Sequence, residues 1–565
     1  MAVLKTQQLM VRYPYQNASI LKDIDLTIEK GEKVLILGPS GGGKSTLALT
    51  LNGMIPKSIE AEAEGKVYID GKSPLDLSFK ETSQRIGLLF QDSETQFCML
   101  TVEDEIIFGL ENLGLSKSEM ERRVEENLRL VGLEKWRTAQ LKELSGGMKQ
   151  KLGIACLLAM DTDVLVLDEP TANLDPASTE EIFDLVIKLG EELNKTILFV
   201  EHKLDRLLPH IERVIVLGTN GKIIADDTPR NLFTQQFDTL LDQGIWIPKI
   251  CRFAKKLEQQ GVINWLNFPL SLQEFEKELT RQNIVPHNSM VQSNQSRVRN
   301  QTNTILQLKN MTFAYKTHEV LKNINFSIQS GEFVALLGPN GTGKSTLAKL
   351  LIGLLHPSQG EIYFKNQVIQ KKNVQELMRS VGFVFQNPEH QFICDTVEQE
   401  LAYGLKLLGW SKEDWHPKVQ SLLEAFQLVE HKNQNPFSLS QGQKRRLSVA
   451  TMLMNDQELL ILDEPTFGQD FVNTEALMKL LRALNQQGKT ILMITHDMEL
   501  VYEYANKVLL LHEGEIQYGG DVETFFAHTT LLEHASIKVP ISYALKHWLN
   551  TIEGGENLVT TLSEE

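Results

Sequence analysis

Two stretches, GPSGGGKSTLA at Gly38–Ala48 and GPNGTGKSTLA at Gly338–Ala348, carry the pattern G-x-x-x-x-G-K-[ST]. Glycines at this spacing (Gly38, Gly41 and Gly43; Gly338, Gly341 and Gly343) let main-chain N–H groups crowd around anionic oxygens. The helix that follows turns its positive end toward the same anion. Such a loop binds phosphate. Lys44 and Lys344 are placed to bridge the β- and γ-phosphates of a nucleotide, and Ser45 and Ser345 to hold Mg²⁺. Ser40, Thr46, Asn340 and Thr346 lie in the same stretches and belong to the expected nucleotide-binding set.

A second group of residues follows apolar runs. Asp168 and Asp463 end the segments Val164–Leu167 and Leu459–Leu462, where a carboxylate can reach the second coordination shell of Mg²⁺. The next residues, Glu169 and Glu464, stand where a carboxylate can polarise an attacking water. At Ser145-Gly146-Gly147 and Ser440-Gln441-Gly442 a small tripeptide precedes a helix whose N-terminus is another anion site. Apolar groups at Leu152, Ala155, Cys156 and Ala159, and at Leu447, Ala450, Thr451 and Met454, predict that this helix is amphipathic.

The elements that must position these groups occur twice. FQDSETQF at Phe90–Phe97 returns as FQNPEHQF at Phe385–Phe392, LSGGMKQ at Leu144–Gln150 as LSQGQKR at Leu439–Arg445, and LVLDEPT at Leu165–Thr171 as LILDEPT at Leu460–Thr466. Constant order and nearly constant offset define two copies of one domain, 4–225 and 306–520. Each phosphate loop follows a strand (Val34–Leu37; Val334–Leu337), and each buried run is followed by another strand (Ile197–Val200; Ile491–Ile494). Continuous apolar strands suit a parallel sheet covered on both faces, so the fold class is α/β of the P-loop kind. Residues 226–283 read as a small helical appendage, 284–303 as a flexible linker, and 521–565 as a tail of one or two helices ending in Glu564 and Glu565.

Composition narrows the class. With 42% apolar and 23% charged residues the 565-residue chain is globular, and its formal charge of −16 speaks against a nucleic-acid partner. Cys98, Cys156, Cys251 and Cys394 have no spacing that suggests a metal site or disulfide framework. No run approaches the roughly 18 apolar residues of a membrane span, and the first residues do not form a secretory signal. Contact with a membrane is therefore expected only through a partner, at the cytoplasmic face.

Phosphate loop, Gln after a strand (Gln91, Gln386), LSGG-type segment, LDEP and a strand-terminal His (His202, His496) occur in the order found in ATP-binding-cassette ATPases, and the chain resembles that family over both copies. The resemblance implies two tandem nucleotide-binding domains, each a RecA-like α/β core with a helical subdomain and an antiparallel β part. It implies an intramolecular dimer hydrolysing ATP with Mg²⁺, each nucleotide lying between one copy's phosphate loop and the other's LSGG segment. Lys44 would then work with Ser440 and Gly442, and Lys344 with Ser145 and Gly147. It further implies that Gln91 and Gln386 touch Mg²⁺, that His202 and His496 contact the γ-phosphate, and that Tyr13 and Tyr315 stack on adenine, Tyr15 competing with Tyr13. The segments QDSETQFCMLTVEDEIIFGLENLG and QNPEHQFICDTVEQELAYGLKLLG resemble energy-coupling-factor (ECF) transporter ATPases. That likeness implies a transmembrane coupling subunit docked near Gln96, Phe97, Gln391 and Phe392, and a separate substrate-binding membrane subunit. Fused ATPases of this type are associated with hydroxymethylpyrimidine (HMP) or thiamine-precursor import.

Two other readings have discriminating features. A soluble ribosome-acting ATPase would carry a basic inter-domain arm, but residues 225–303 hold nine Lys/Arg against eight Asp/Glu. A tandem sugar-importer ATPase often lacks one catalytic Glu, whereas Glu169 and Glu464 are both present. Two departures from the family pattern fall in the second copy: Gln441 replaces a glycine, and Phe467-Gly468-Gln469-Asp470 stands against Ala172-Asn173-Leu174-Asp175. Neither removes a catalytic group, so both sites are expected to hydrolyse at different rates.

Overall fold

The apolar runs of each copy become the strands of a parallel sheet. The computed structural model describes residues 2–282 and 303–550, apart from 15, 17, 92, 172–173, 175, 202–203, 317, 371–372, 455–456, 467–468 and 470. The expected linker thus lies outside the described residues except for its last position, as do Tyr15 and the acidic end. The chain divides into two compact units, Met1–Val285 and Pro286–Glu565.

In the first unit the strands are β1 (Ala2–Arg12), β2 (Leu21–Glu29), β3 (Lys33–Leu37), β4 (Glu62–Ile69), β5 (Ile86–Leu89), β6 (Val164–Asp168), β7 (Thr196–Val200), β8 (Arg213–Leu217) and β9 (Ile223–Asp227). One sheet has the order β5-β6-β7-β3-β8-β9, parallel except for β9. Every residue of β6 and β7 is buried, as strands covered on both faces must be. An antiparallel sheet, β2-β1-β4, stands beside it.

The second unit repeats the plan with β10 (Thr304–Tyr315), β11 (His318–Gln329), β12 (Phe333–Leu337), β13 (Gln359–Phe364), β14 (Gln367–Val368), β15 (Val381–Val384), β16 (Leu459–Asp463), β17 (Thr490–Ile494), β18 (Lys507–His512) and β19 (Glu515–Asp521). Its sheets run β15-β16-β17-β12-β18-β19 and β11-β10-β13-β14. Register decides what meets what. Ile36 and Asp168 both lie opposite Val200, and Leu336 and Asp463 both lie opposite Ile494. The phosphate-loop strand and the Asp-bearing strand therefore end level, on either side of one shared neighbour.

A helical part follows each β5-type strand: Val102–Asn112, Lys117–Val131 and Gly146–Ala159 in the first unit, Val397–Leu407, Lys412–Ala425 and Gln441–Met452 in the second. The amphipathic expectation for the last helix of each set needs correction. Leu152, Gly153, Ile154 and Ala155 are consecutive and all buried, and so are Leu447, Ser448, Val449 and Ala450. Strand β5 and three helices pack on Gly146–Ala159, so burial extends around more of the helix than one apolar stripe, with Lys149 and Lys151 only partly exposed.

Beyond β9 lie helices Pro229–Gln235, Phe237–Asp242, Lys249–Gln259 and Leu272–Arg281. Beyond β19 lie three short helices, Val522–Ala527, Thr529–His534 and Ile541–Leu549, rather than one or two. Pro540 stops continuation and starts the last of them, and Tyr543 then packs on Tyr502 and Phe526 at ring-centroid distances of 5.6 and 5.7 Å.

Candidate active site

The phosphate-loop geometry follows from its glycines. Gly43 and Gly343 have left-handed backbones, φ 93° and 100°, immediately before helices Lys44–Leu51 and Lys344–Leu351. A Cβ at these positions would lie 2.7 Å from Leu21 Cδ2 and 2.9 Å from Leu321 Cδ2, so a larger residue is blocked by both conformation and space. Lys44 Nζ donates to the carbonyls of Gly38 (2.8 Å) and Pro39 (3.0 Å), and Lys344 Nζ to those of Gly338 (2.7 Å) and Pro339 (2.9 Å). Both lysines are buried. Each loop thus holds a fixed positive charge bonded to its own backbone. Ser40, Ser45, Asn340 and Ser345 present exposed side chains at the same edge.

The carboxylates stand across from these loops. Asp168 and Asp463 are buried at the ends of β6 and β16. Burial raises the pKa of Asp463, the Ser345 hydroxyl that donates to it lowers it, and the neighbouring Glu464 raises it again. Glu169 and Glu464 leave their strands with φ 47° and 48°, in the left-handed region and directly before a proline. A non-glycine residue held there stores roughly 1–3 kcal/mol of backbone strain, and such strain collects at functional sites. Sequence reading missed this, although the Glu-Pro dipeptide after a buried strand was the available signal.

Each glutamate has a side-chain partner among the described residues. Gln91 Nε2 donates to Glu169 Oε2 at 2.8 Å, whereas Glu464 Oε2 lies 3.0 Å from His496 Nδ1. His202 lies outside the described residues, and Gln386 presents an exposed side chain. Tyr13, just after β1, places its hydroxyl 3.3 Å from Thr46 Oγ1. Tyr315 ends β10, is 46% exposed, and meets Phe313 edge-to-face at 4.9 Å. Its ring is therefore open for stacking, while Tyr13 is half-buried.

Ser145 and Ser440 cap their helices, accepting from the amides of Met148 and Gln443. Gly442 is needed by close packing, since a Cβ would stand 2.6 Å from Asn473 Cγ; at Gly147 a Cβ would be tight, 3.1 Å from Ser178.

Of the Gln-Phe pairs expected near a docking surface, the glutamines are held by hydrogen bonds and Phe392 turns inward, while Gln391 also lines a cavity. Gln391 Nε2 donates to Ser448 O (3.0 Å) and Thr451 Oγ1 (2.9 Å), and Gln96 Nε2 to Leu88 O (3.1 Å). Phe392 is 5% exposed and packs on Phe437, while Phe97 is half-buried. The extended exit turns Phe392 into the subdomain and its neighbours Gln391 and Ile393 to the other side, where Ile393 is 62% exposed. Ile393 borders a largely apolar cavity of about 360 Å³ walled by Leu377, Met378, Phe383, Phe385 and Tyr403.

Comparison with known proteins identifies the family. A family model described as ABC transporter matches residues 21–172 and 321–467. The chain is 42% identical to "Putative HMP/thiamine import ATP-binding protein YkoD" of Bacillus subtilis (strain 168), covering 96% of each chain. It is 36% identical to a "Putative ABC transporter ATP-binding protein" of Methanosarcina mazei, covering 96% of this chain and 92% of the other. A solved structure of cbiO1 from Clostridium perfringens, part of the ABC transporter complex cbiONQ, covers 43% of this chain and 99% of its own at 32% identity, with a TM-score of 0.39. With two family matches that each hold a phosphate loop and an LDEP strand, the chain belongs to the ABC transporter family and is an ATP-binding ATPase with two cassette domains.

Proposed function

We propose that this chain is the ATP-hydrolysing subunit of an ECF-type importer of a vitamin or small metabolite of the HMP or thiamine class. The observation that carries the reading is the 42% identity, end to end, with a relative named for HMP/thiamine import. Among the described residues no helix is long and apolar enough to cross a membrane, so transport needs membrane partners. Of the chain's own surfaces, the apolar cavity bordered by Ile393 and Tyr403 suits a helix of a transmembrane coupling subunit. A separate membrane subunit would bind the cargo, with this chain at the cytoplasmic face.

At each site the phosphate-loop amides and Lys44 or Lys344 bind the β- and γ-phosphates. Tyr13 and Tyr315 stack on adenine. The oxygen-only set of Ser345, Asp463 and Gln386 fits Mg²⁺, and the Ser345–Asp463 hydrogen bond already gathers two of these ligands. Ser45, Asp168 and Gln91 form the matching set. Bound Mg²⁺ supplies charge neutralisation on the phosphate oxygens. Glu169 and Glu464 orient the attacking water and accept its proton, and His202 and His496 contact the γ-phosphate. Ser145 and Gly147 complete the site of Lys344, and Ser440 and Gly442 that of Lys44.

Purification of the full chain from its host membranes, followed by uptake of labelled HMP and thiamine into vesicles, tests this. The expected result is co-purification of two kinds of membrane protein and ATP-dependent uptake. A chain carrying Glu169→Gln and Glu464→Gln should still assemble and bind MgATP, with hydrolysis and uptake reduced roughly a hundredfold or more. Isolation without membrane proteins, or undiminished hydrolysis by the double variant, would overturn the respective parts of the reading.

A further inference from the structure

The two glutamine loops are held to their domains by different side chains. In the second unit Arg445, on helix Gln441–Met452, donates through Nη1 to Phe385 O (2.6 Å) and through Nη2 to Gln386 O (2.5 Å). Arg445 is 2% exposed, so these charged bonds are shielded from water, where they are worth most. At the matching place in the first unit stands Gln150. Its Nε2 approaches Gln91 O only at 3.5 Å, and its buried Oε1 has no hydrogen-bond partner among the described residues. One loop is clamped by a bidentate cation and the other by a long single contact.

We infer that Arg445 is a positioning residue that sets the Gln386 amide for its metal contact by anchoring the loop's two carbonyls to the LSQGQ helix. Three structures meet at this clamp. Phe385 walls the apolar cavity, Gln386 carries the amide, and Arg445 lies four residues beyond Gln441 at the start of its helix. Moving the glutamine loop away from the helix would strand a buried guanidinium, at high cost. Helix start, glutamine loop and cavity wall in the second unit therefore move together. In the first unit the Gln150 contact is long, and the Gln91 amide is bonded to Glu169. The Asp463 and Glu464 carboxylates lie close enough to stabilise the buried cation, and burial still draws its pKa down to about 10.

The inference rests on Gln386 touching Mg²⁺, and the experiment separates the two claims. ATP hydrolysis by the full chain is titrated with Mg²⁺ in Arg445→Gln, Arg445→Lys, Gln386→Ala and the Arg445→Gln/Gln386→Ala pair. The first unit carries glutamine at this place within the same fold, so Arg445→Gln should fold, as a melting temperature near that of the parent chain would show. Arg445→Gln should raise the Mg²⁺ needed for half-maximal rate roughly tenfold, the low end for loss of an outer support of a metal site. Metal-free ATP binding should stay unchanged, and Arg445→Lys should fall between, since one ammonium cannot serve two carbonyls bidentately. The double variant should match Gln386→Ala alone, because the residues act through one group. If Gln386→Ala leaves the Mg²⁺ demand unaltered, the metal role of Gln386 falls and the inference with it. If Gln386→Ala raises the demand while Arg445→Gln does not, or if the two effects multiply, Arg445 alone is removed from the mechanism.

Discussion

Burial raises the pKa of Asp463, while the Ser345 hydroxyl and the Lys344 ammonium draw it down. A folded value above the unfolded one means that the native chain binds this proton more tightly. The associated stability is then fully present below the unfolded pKa and is lost as pH rises through the folded value. At neutral pH the carboxylate is a cost to the fold, kept at the end of β16 beside the phosphate loop. Asp463→Asn removes the titration. In EDTA and without nucleotide, this variant should melt roughly 1–2 °C above the parent chain at pH 8, the gap narrowing as pH is lowered. Mg²⁺-dependent hydrolysis should fall in the same variant. Thermal melts across pH decide the matter: a lower melting temperature at every pH would show that the bond from Ser345 outweighs the burial of charge.

Elements turn residues inward or outward, and the cavity of the second unit depends on that choice. Phe392 packs into the helical part against Phe437, whereas Ile393 stands at the cavity rim. Phe392→Asp should therefore destabilise the subdomain by about 3 kcal/mol or more, since it both empties an aromatic site and buries a charge. Ile393→Asp should leave the melting temperature within about 1 °C, as surface changes usually do, and abolish co-purification with the membrane partner. Equal losses of stability would place Ile393 in the core. Retained assembly in the Ile393 variant would move docking elsewhere. Gln-Phe spacing after a strand was legible in the sequence, but the direction of each side chain was not. One residue of register reverses the face a side chain occupies, and only packing sets the register.

For the molecule as a whole, the proposed head-to-tail pairing closes the Lys44 site with LSQGQ and the Lys344 site with LSGGM. Gly146 leaves its backbone unrestricted, while Gln441 at the same place adds a side chain and narrows conformational range, worth about 1 kcal/mol. Tethered halves close together, so damage at one site should slow both. Steady-state ATPase measurements should find Lys344→Ala more harmful than Lys44→Ala, and Gln441→Gly faster than the parent chain. Equal losses from the lysine variants, with no response to Gln441→Gly, would show that this asymmetry has no functional weight. The difference between Ala172-Asn173 and Phe467-Gly468, after each LDEP strand, lies outside the described residues.

The chemistry of this chain is local, and its sequence alone determined it. Gly43 and Lys44 need only their own spacing to make a phosphate loop, and a repeat at constant offset is enough to identify two domains. Apolar runs such as Val164–Leu167 likewise specify buried strands without knowledge of their neighbours. Tertiary structure decided which distant groups meet. Register across β7 brings Asp168 level with the end of β3, although more than a hundred residues separate them in the chain. Packing also decided what pattern could not: the left-handed glutamates, the burial of consecutive residues in the LSGG-type helices, and the clamp that Arg445 makes where Gln150 makes only a long contact. Each depends on contacts between residues far apart in sequence, where loop closure and close packing select one arrangement among several that the local pattern allows.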